Sequence, residues 1–208
     1  MEIMGVDEAG RGPVLGPMVI GGIIVPESKN KILERMGVKD SKKITPKRRA
    51  ILARKLSKMF EHDMVIITAK EIDALRAKGV NLNDIEKRGM IELIKKLQPE
   101  QVIIDAVDVK PTRFQNEVQE AVGDHINVIA EHKADDNHIQ VAAASIIAKF
   151  NRDLIVEKIN KKYIKMGGIG SGYPSDPTTK EFLSNFTYDE LPDFVRRSWA
   201  TVEKMKDD

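Results

Sequence analysis

GVDEAGRGPVLGPM, residues 5–18, is the stretch whose reading decides the fold. It closes a short apolar run, Met1 to Val6, with two adjacent carboxylates, Asp7 and Glu8. Gly10-Arg11-Gly12 follows at once, with Pro13 and Pro17 just beyond. Apolar runs on either side of a glycine- and proline-rich break read as two strands joined by a turn. The first is predicted over residues 2–8 and the second, VLGPMVIGGIIV, over 14–25. Neighbouring side chains on a regular strand point to opposite faces. Asp7 and Glu8 can therefore share one site only if the strand stops between them or just after. The Ala-Gly-Arg-Gly turn offers that change of direction.

Outward from this segment, strands and helices alternate. Ser28 is a plausible cap for a short helix to Met36, and Thr45-Pro46 opens a second helix to about Phe60. MVIITA (64–69) reads as a third strand, and two helices follow over 70–78 and 83–97, separated by Gly79. QVIIDAV is a buried strand, 112–122 a helix, and INVIAEH a fifth strand. A long amphipathic helix is predicted from Asn137 to about Lys165. GGIGSGYPSDP then breaks the pattern, and two last helices are expected near 178–186 and 190–205. This order suggests an α/β protein with a mixed five-stranded sheet, antiparallel in its front half, parallel behind and flanked by helices. Sheets of this kind place their sites at the carboxyl ends of the central strands.

The 208-residue chain suits one sizeable core, or one core with an appendage. It has no cysteine, which excludes disulfides and thiolate-held zinc or iron–sulfur centres. No apolar run is long enough to span a membrane, and the first residues lack the pattern of a secretion signal. The expectation is a cytoplasmic protein without membrane association. The formal charge of +2 does not by itself argue for nucleic acid, so the argument must come from where charges lie.

The acids gather at strand ends. Asp7 and Glu8 close the first strand, Asp105 closes VIID, and Asp135 stands between the fifth strand and the long helix. Carboxylates converging on one sheet edge repel one another, and burial adds to the cost. Divalent cations would supply the missing charge, and an all-oxygen donor set suits Mg²⁺ or Mn²⁺. Two such ions can activate water and stabilise a leaving oxygen in phosphodiester cleavage. Each acid also has a plainer reading as a turn former or helix cap, and Asp136 and Asn137 compete with Asp135 for that job. His132 and His138 straddle a strand-to-helix join, with no ligand spacing to recommend them. Lys42 and Lys43, in DSKKITPKRR, sit in a loop suited to phosphate contacts, whereas Lys47 to Arg49 read as a solvated helix face. Tyr173, in the glycine-rich loop, can stack on a sugar or base, or anchor its loop to the core. AAASIIAK implies close helix–sheet contact, and Phe194 and Trp199 read as anchors of the last helix. A non-catalytic nucleic-acid binder would explain the lysines and Tyr173 but not the acids. A phosphotransferase would lack its GxxxxGK[ST] cradle.

GVDEAGRGPVLGPMV, DSKKITPKRR, VIIDAVDV, EHKADDNHIQVAAASIIAK and GSGYPSDPTT together resemble ribonuclease HII in order and spacing, and FVRRSW resembles its archaeal branch. The resemblance implies a ribonuclease H-like catalytic domain over 1–165 with a helical C-terminal extension over 166–208. It implies a metal-dependent endoribonuclease that cuts RNA/DNA hybrids, and single ribonucleotides within duplex DNA, leaving a 5′-phosphate and a 3′-hydroxyl. By match of motif, Asp7, Glu8, Asp105 and Asp135 would be the catalytic metal ligands for two Mg²⁺ or Mn²⁺ ions. Asp136 stands where the family commonly has a small residue. Gly10, Arg11 and Gly12 would surround the ribose 2′-hydroxyl, Tyr173 would stack on the next deoxyribose, and Lys42 or Lys43 would contact phosphate. Nothing in the sequence demands a partner subunit, so a monomer is expected.

Overall fold

The computed structural model describes the whole chain, Met1–Asp208. Its sheet has five strands in the order β3-β2-β1-β4-β5. These are β1 (Glu2–Ala9), β2 (Met18–Pro26), β3 (His62–Ile67), β4 (Gln101–Asp105) and β5 (Asn127–Glu131). β1 pairs antiparallel with β2 and parallel with β4, and β4 pairs parallel with β5. The expected mixed sheet is therefore present, with β1 central and its carboxyl end beside that of β4.

The helices are α1 (Asn30–Met36), α2 (Pro46–Met59), α3 (Ala69–Ala77), α4 (Leu82–Leu97), α5 (Pro111–Val122), α6 (Ala134–Asn137), α7 (Ile139–Lys162), α8 (Pro177–Ser184) and α9 (Ala200–Glu203). Local chemistry explains several starts. Thr45 accepts the Arg48 amide and Pro46 occupies the first turn of α2. Thr68 and Glu71 bond reciprocally to open α3, and Asp176 caps α8 ahead of Pro177.

Contacts divide the chain into two compact units. The first comprises Met1–Ala9, Val19–Val65 and Glu86–Phe150. Its core joins Ile23 and Val25 to Leu33, Leu52 and Leu56, and to Ala142–Ala144, Ile146 and Ile147 of α7. Here α7 presses directly on the sheet. A Cβ on Gly5 would lie 2.1 Å from the Gln140 carbonyl oxygen, so only glycine admits the helix at that point. The run of small residues in AAASIIAK has the role the sequence suggests. The second unit comprises Gly10–Met18, Ile66–Ile85 and Asn151–Asp208. Its core is Val14, Leu15, Ile169, Phe182, Leu183, Leu191, Val195 and Val202, with Tyr163 and Phe194 packed edge-on against each other.

Four local expectations are corrected. The second strand begins at Met18, not residue 14, because residues 10–17 bond to non-local partners instead of a neighbouring strand. Ser28 lies within a 3₁₀ turn and α1 starts at Asn30 without a side-chain cap. The long helix starts at Ile139, because α6 ends at Asn137 and the backbone of His138 is extended. The last predicted helix is replaced by a 3₁₀ turn at Tyr188–Glu190, an irregular stretch and the short α9, since the Arg196 and Arg197 amides bond outside any helix.

Candidate active site

Asp7, Asp105 and Asp135 meet in the first unit. One carboxylate oxygen from each lies within 4.8 Å of the others. The sheet delivers two of them: parallel pairing puts the ends of β1 and β4 side by side, and Asp105 is the last residue of β4. The third comes by a tighter route. After β5 the backbone turns through Lys133 at φ +54°, a left-handed conformation uncommon outside glycine. That turn aims the Lys133 and Ala134 amides at the Asp105 carboxylate and sets Asp135, buried, in α6. Strain held beside a cluster of acids is typical of functional sites.

The electrostatics are unfavourable for three bare carboxylates. Burial pushes the Asp7 carboxyl well above the ordinary range, and the charges of Asp105, Glu8 and Asp135 push it further. The bond from the Glu8 amide to Asp7 Oδ1, 2.8 Å, works the other way. Burial and then the Asp135 charge raise Asp105, against the two amide bonds it accepts. Lys42 Nζ lies 3.2 Å from Asp135 and 2.8 Å from Asp136. These partners, Asp136 first, raise the lysine above its ordinary value. The donor set is entirely oxygen, its charge is in excess, and its atoms are close enough to share an ion, which together fit hard divalent cations.

The other predicted residues fall as follows. β1 ends at Ala9, so the break falls just after Asp7–Glu8 rather than between them. Asp7 follows Gly5 on the face towards α7, while Glu8 follows Met4 on the opposite pleat and does not join the three-acid cluster. Asp135 is buried and Asp136 exposed, which separates two neighbours that spacing could not. Lys43 is exposed. His138 bonds Glu131 at 2.9 Å and His132 faces the Val109 carbonyl, so neither joins the acids. Ser145 is fully buried and its hydroxyl has no hydrogen-bond partner.

Gly10, Arg11, Gly12 and Tyr173 belong to the second unit. Gly10 has φ +87°, and a Cβ there would lie 2.1 Å from Arg152 Nε. Arg11 bonds the Asn83 side chain. A Cβ on Gly12 would lie 3.2 Å from the Tyr173 ring, which is half exposed. Sequence reasoning missed the residues behind this turn. Arg152 donates to the Leu15 and Pro17 carbonyls, Arg196 to those of Gly10, Arg11 and Gly16, and Trp199 Nε1 to that of Gly12. The available signal was the apolar setting of the paired arginines in FVRRSW, which a solvated charge pair would not have.

A mixed sheet with acids converging at the carboxyl edge of its central strands defines the ribonuclease H-like class, and the solved structures agree. The ribonuclease H2 of Pyrococcus horikoshii OT3 matches with a TM-score of 0.91 at 40% identity, covering 100% of this chain and 98% of that one. Ribonuclease HII of Archaeoglobus fulgidus, solved in complex with PCNA, matches with a TM-score of 0.87 at 38% identity over 96% of this chain and 95% of that one. The family profile described as ribonuclease HII matches residues 4–202, and ribonuclease HII of Methanobrevibacter smithii is 66% identical over 99% of both chains. The chain belongs to the ribonuclease HII family. It is accordingly a ribonuclease H type 2 hydrolase, an endoribonuclease of RNA/DNA hybrids in a divalent-metal-dependent family. No helix is long and apolar enough to cross a membrane.

Proposed function

We propose that the protein hydrolyses the phosphodiester on the 5′ side of ribonucleotides, both in RNA/DNA hybrids and where a single ribonucleotide is embedded in duplex DNA. The observation that carries the chemistry is the meeting of Asp7, Asp105 and Asp135 within 4.8 Å under mutual repulsion. Asp7, Glu8, Asp105 and Asp135 would hold two Mg²⁺ or Mn²⁺ ions; Glu8 lies outside the three-acid cluster, but its charge acts on Asp7. When bound, the ions supply an acidified water and positive charge for the leaving oxygen. The water oxygen adds to phosphorus, the P–O3′ bond breaks, and the 3′-oxygen takes up a proton, leaving 5′-phosphate and 3′-hydroxyl. The buried Asp135 and the amide-held Asp105 keep the site rigid, so little reorganisation is needed at the moment of reaction.

Gly10, Arg11 and Gly12, which the chain reaches two residues after Glu8, would test for the 2′-hydroxyl with backbone groups. Tyr173 would stack on the deoxyribose that follows the ribonucleotide. Lys42 offsets the charge of the acids, and it and Lys43 would meet backbone phosphate, which gives affinity without sequence readout. We extend the proposal to a monomeric, cytoplasmic enzyme of DNA replication and repair, built as a catalytic domain over 1–165 with its extension over 166–208. The test is a duplex carrying one ribonucleotide, incubated with Mg²⁺ or Mn²⁺. A single nick on its 5′ side is expected, and an intact duplex with either ion would overturn the reading.

A further inference from the structure

We propose that Arg196 and Trp199 are positioning residues for the ribose test: they hold Gly10–Gly12 in the shape that separates a ribonucleotide from a deoxyribonucleotide. The inference rests on the reading of that turn given above.

Residues 10–17 form neither helix nor strand beyond one isolated bridge, Leu15 with Val195. Their backbone groups therefore need partners from elsewhere. The guanidinium of Arg196 supplies them. Arg196 is 0% exposed, an unusual place for an arginine unless its donors are well used. Nη2 donates to the Gly10 carbonyl, Nη1 to that of Arg11 at 3.0 Å, and Nε to that of Gly16 at 2.9 Å. The Trp199 ring lies 4.7 Å from the same guanidinium, and its Nε1 donates to the Gly12 carbonyl at 3.0 Å. Three consecutive carbonyls are thus fixed by two side chains that stack on each other. The chain has no cis peptide, so each carbonyl points away from the following N–H. With the Gly10 and Arg11 carbonyls turned onto Arg196, the N–H groups of Arg11 and Gly12 face the opposite side.

Such an arrangement suits a turn that recognises a ligand by backbone alone. A backbone group cannot adjust by changing rotamer, so its selectivity depends on how tightly the peptide planes are held. The planar fork of arginine fixes directions that a lysine ammonium does not. Tryptophan adds a donor and a ring, and W199F removes the donor while keeping a smaller aromatic ring.

The experiment compares the wild-type chain with R196K and W199F on two duplexes, one with a single ribonucleotide and one all-deoxy. Two quantities are read. The first is the ratio of affinities for the two duplexes, measured with Ca²⁺ in place of the catalytic ion. The second is kcat and KM for nicking with Mg²⁺ or Mn²⁺. Losing bonds that order this turn should lower the affinity ratio about tenfold in R196K and about threefold in W199F. The kcat for the ribonucleotide duplex should fall with it, at wild-type affinity for the all-deoxy duplex. A merely structural role predicts equal weakening on both duplexes, or unchanged ratios in folded variants, and either result overturns the inference. If R196K does not fold, W199F decides. If the wild-type chain fails to nick at the ribonucleotide, the reading of the turn falls and this inference with it. Nicking by the wild type with an unchanged ratio in W199F removes this inference alone.

Discussion

The acid cluster and the Gly10–Pro17 segment solve opposite problems. The cluster stands on regular structure, with Asp7 and Asp105 on paired strands whose register fixes their separation, and its side chains are in electrostatic conflict. The turn has almost no regular structure, and its backbone is satisfied by the buried Arg196 and Arg152 and the part-exposed Trp199. In one region the backbone is settled and the side chains are frustrated; in the other the side chains serve the backbone. A site built for cations tolerates unfavourable charge that an ion will neutralise. A turn built to read a sugar through its backbone cannot tolerate looseness.

This contrast can be broken in several ways, and the largest effect should come from the charges. D105N removes a carboxylate that no neighbour can replace, and nicking should slow by about a thousandfold, roughly 4 kcal/mol of barrier, while the fold persists. Near-wild-type turnover would show that the cluster is not the catalytic centre. In the turn the expected loss is of stability. R152M leaves the buried Leu15 and Pro17 carbonyls without their donor, at a cost of about 2–4 kcal/mol, and denaturant melts of the full chain would read it. An unchanged midpoint would mean that the segment holds itself. The packing of α7 on β1 gives a smaller figure. G5A would drive a methyl group into the Gln140 carbonyl and should cost about 1–3 kcal/mol, lowering the melting temperature by about 2–4 °C for each kcal/mol.

The smallest effect carries the opposite sign. A carboxyl whose folded-state pKa is raised keeps its proton longer in the folded than in the unfolded chain. For Asp7, metal-free stability should therefore be highest below the ordinary carboxylate range and decline as pH climbs from there to the raised value. D7N removes the charge that burial penalises. It should flatten that decline and melt a few degrees higher than the wild type at neutral pH in a chelator. A lower melting temperature for D7N would mean that the carboxylate stabilises the fold without metal.

How much of this was legible in the sequence follows the same division. The strands that carry Asp7 and Asp105 are continuous apolar runs; the mixed character of the sheet followed from the order of strands and helices, whereas which strands pair came with the resemblance. The start of α2 was visible because Thr45 and Pro46 act on residues within one turn. The role of Asp135 came with the resemblance, but its separation from Asp136 did not, because it depends on Lys133 adopting a left-handed turn that no pattern of lysines announces. The strand start at Met18, the irregular path of residues 191–199 and the burial of Arg196 were illegible for one reason. Each depends on bonds between residues more than a hundred positions apart, backbone as well as side chain, and local propensity carries no trace of them. Lys42 was read as a phosphate contact, whereas the structure also gives it a carboxylate partner 94 positions on.

The most direct test of the central claim is a calorimetric titration of Mn²⁺ into the wild-type chain and D105N, both free of nucleic acid. If Asp7, Asp105 and Asp135 form one cation site, the wild type binds the ion and D105N binds it at least about tenfold more weakly. Equal affinity in the two proteins would contradict the account, because the acids would then be neighbours that share no ion.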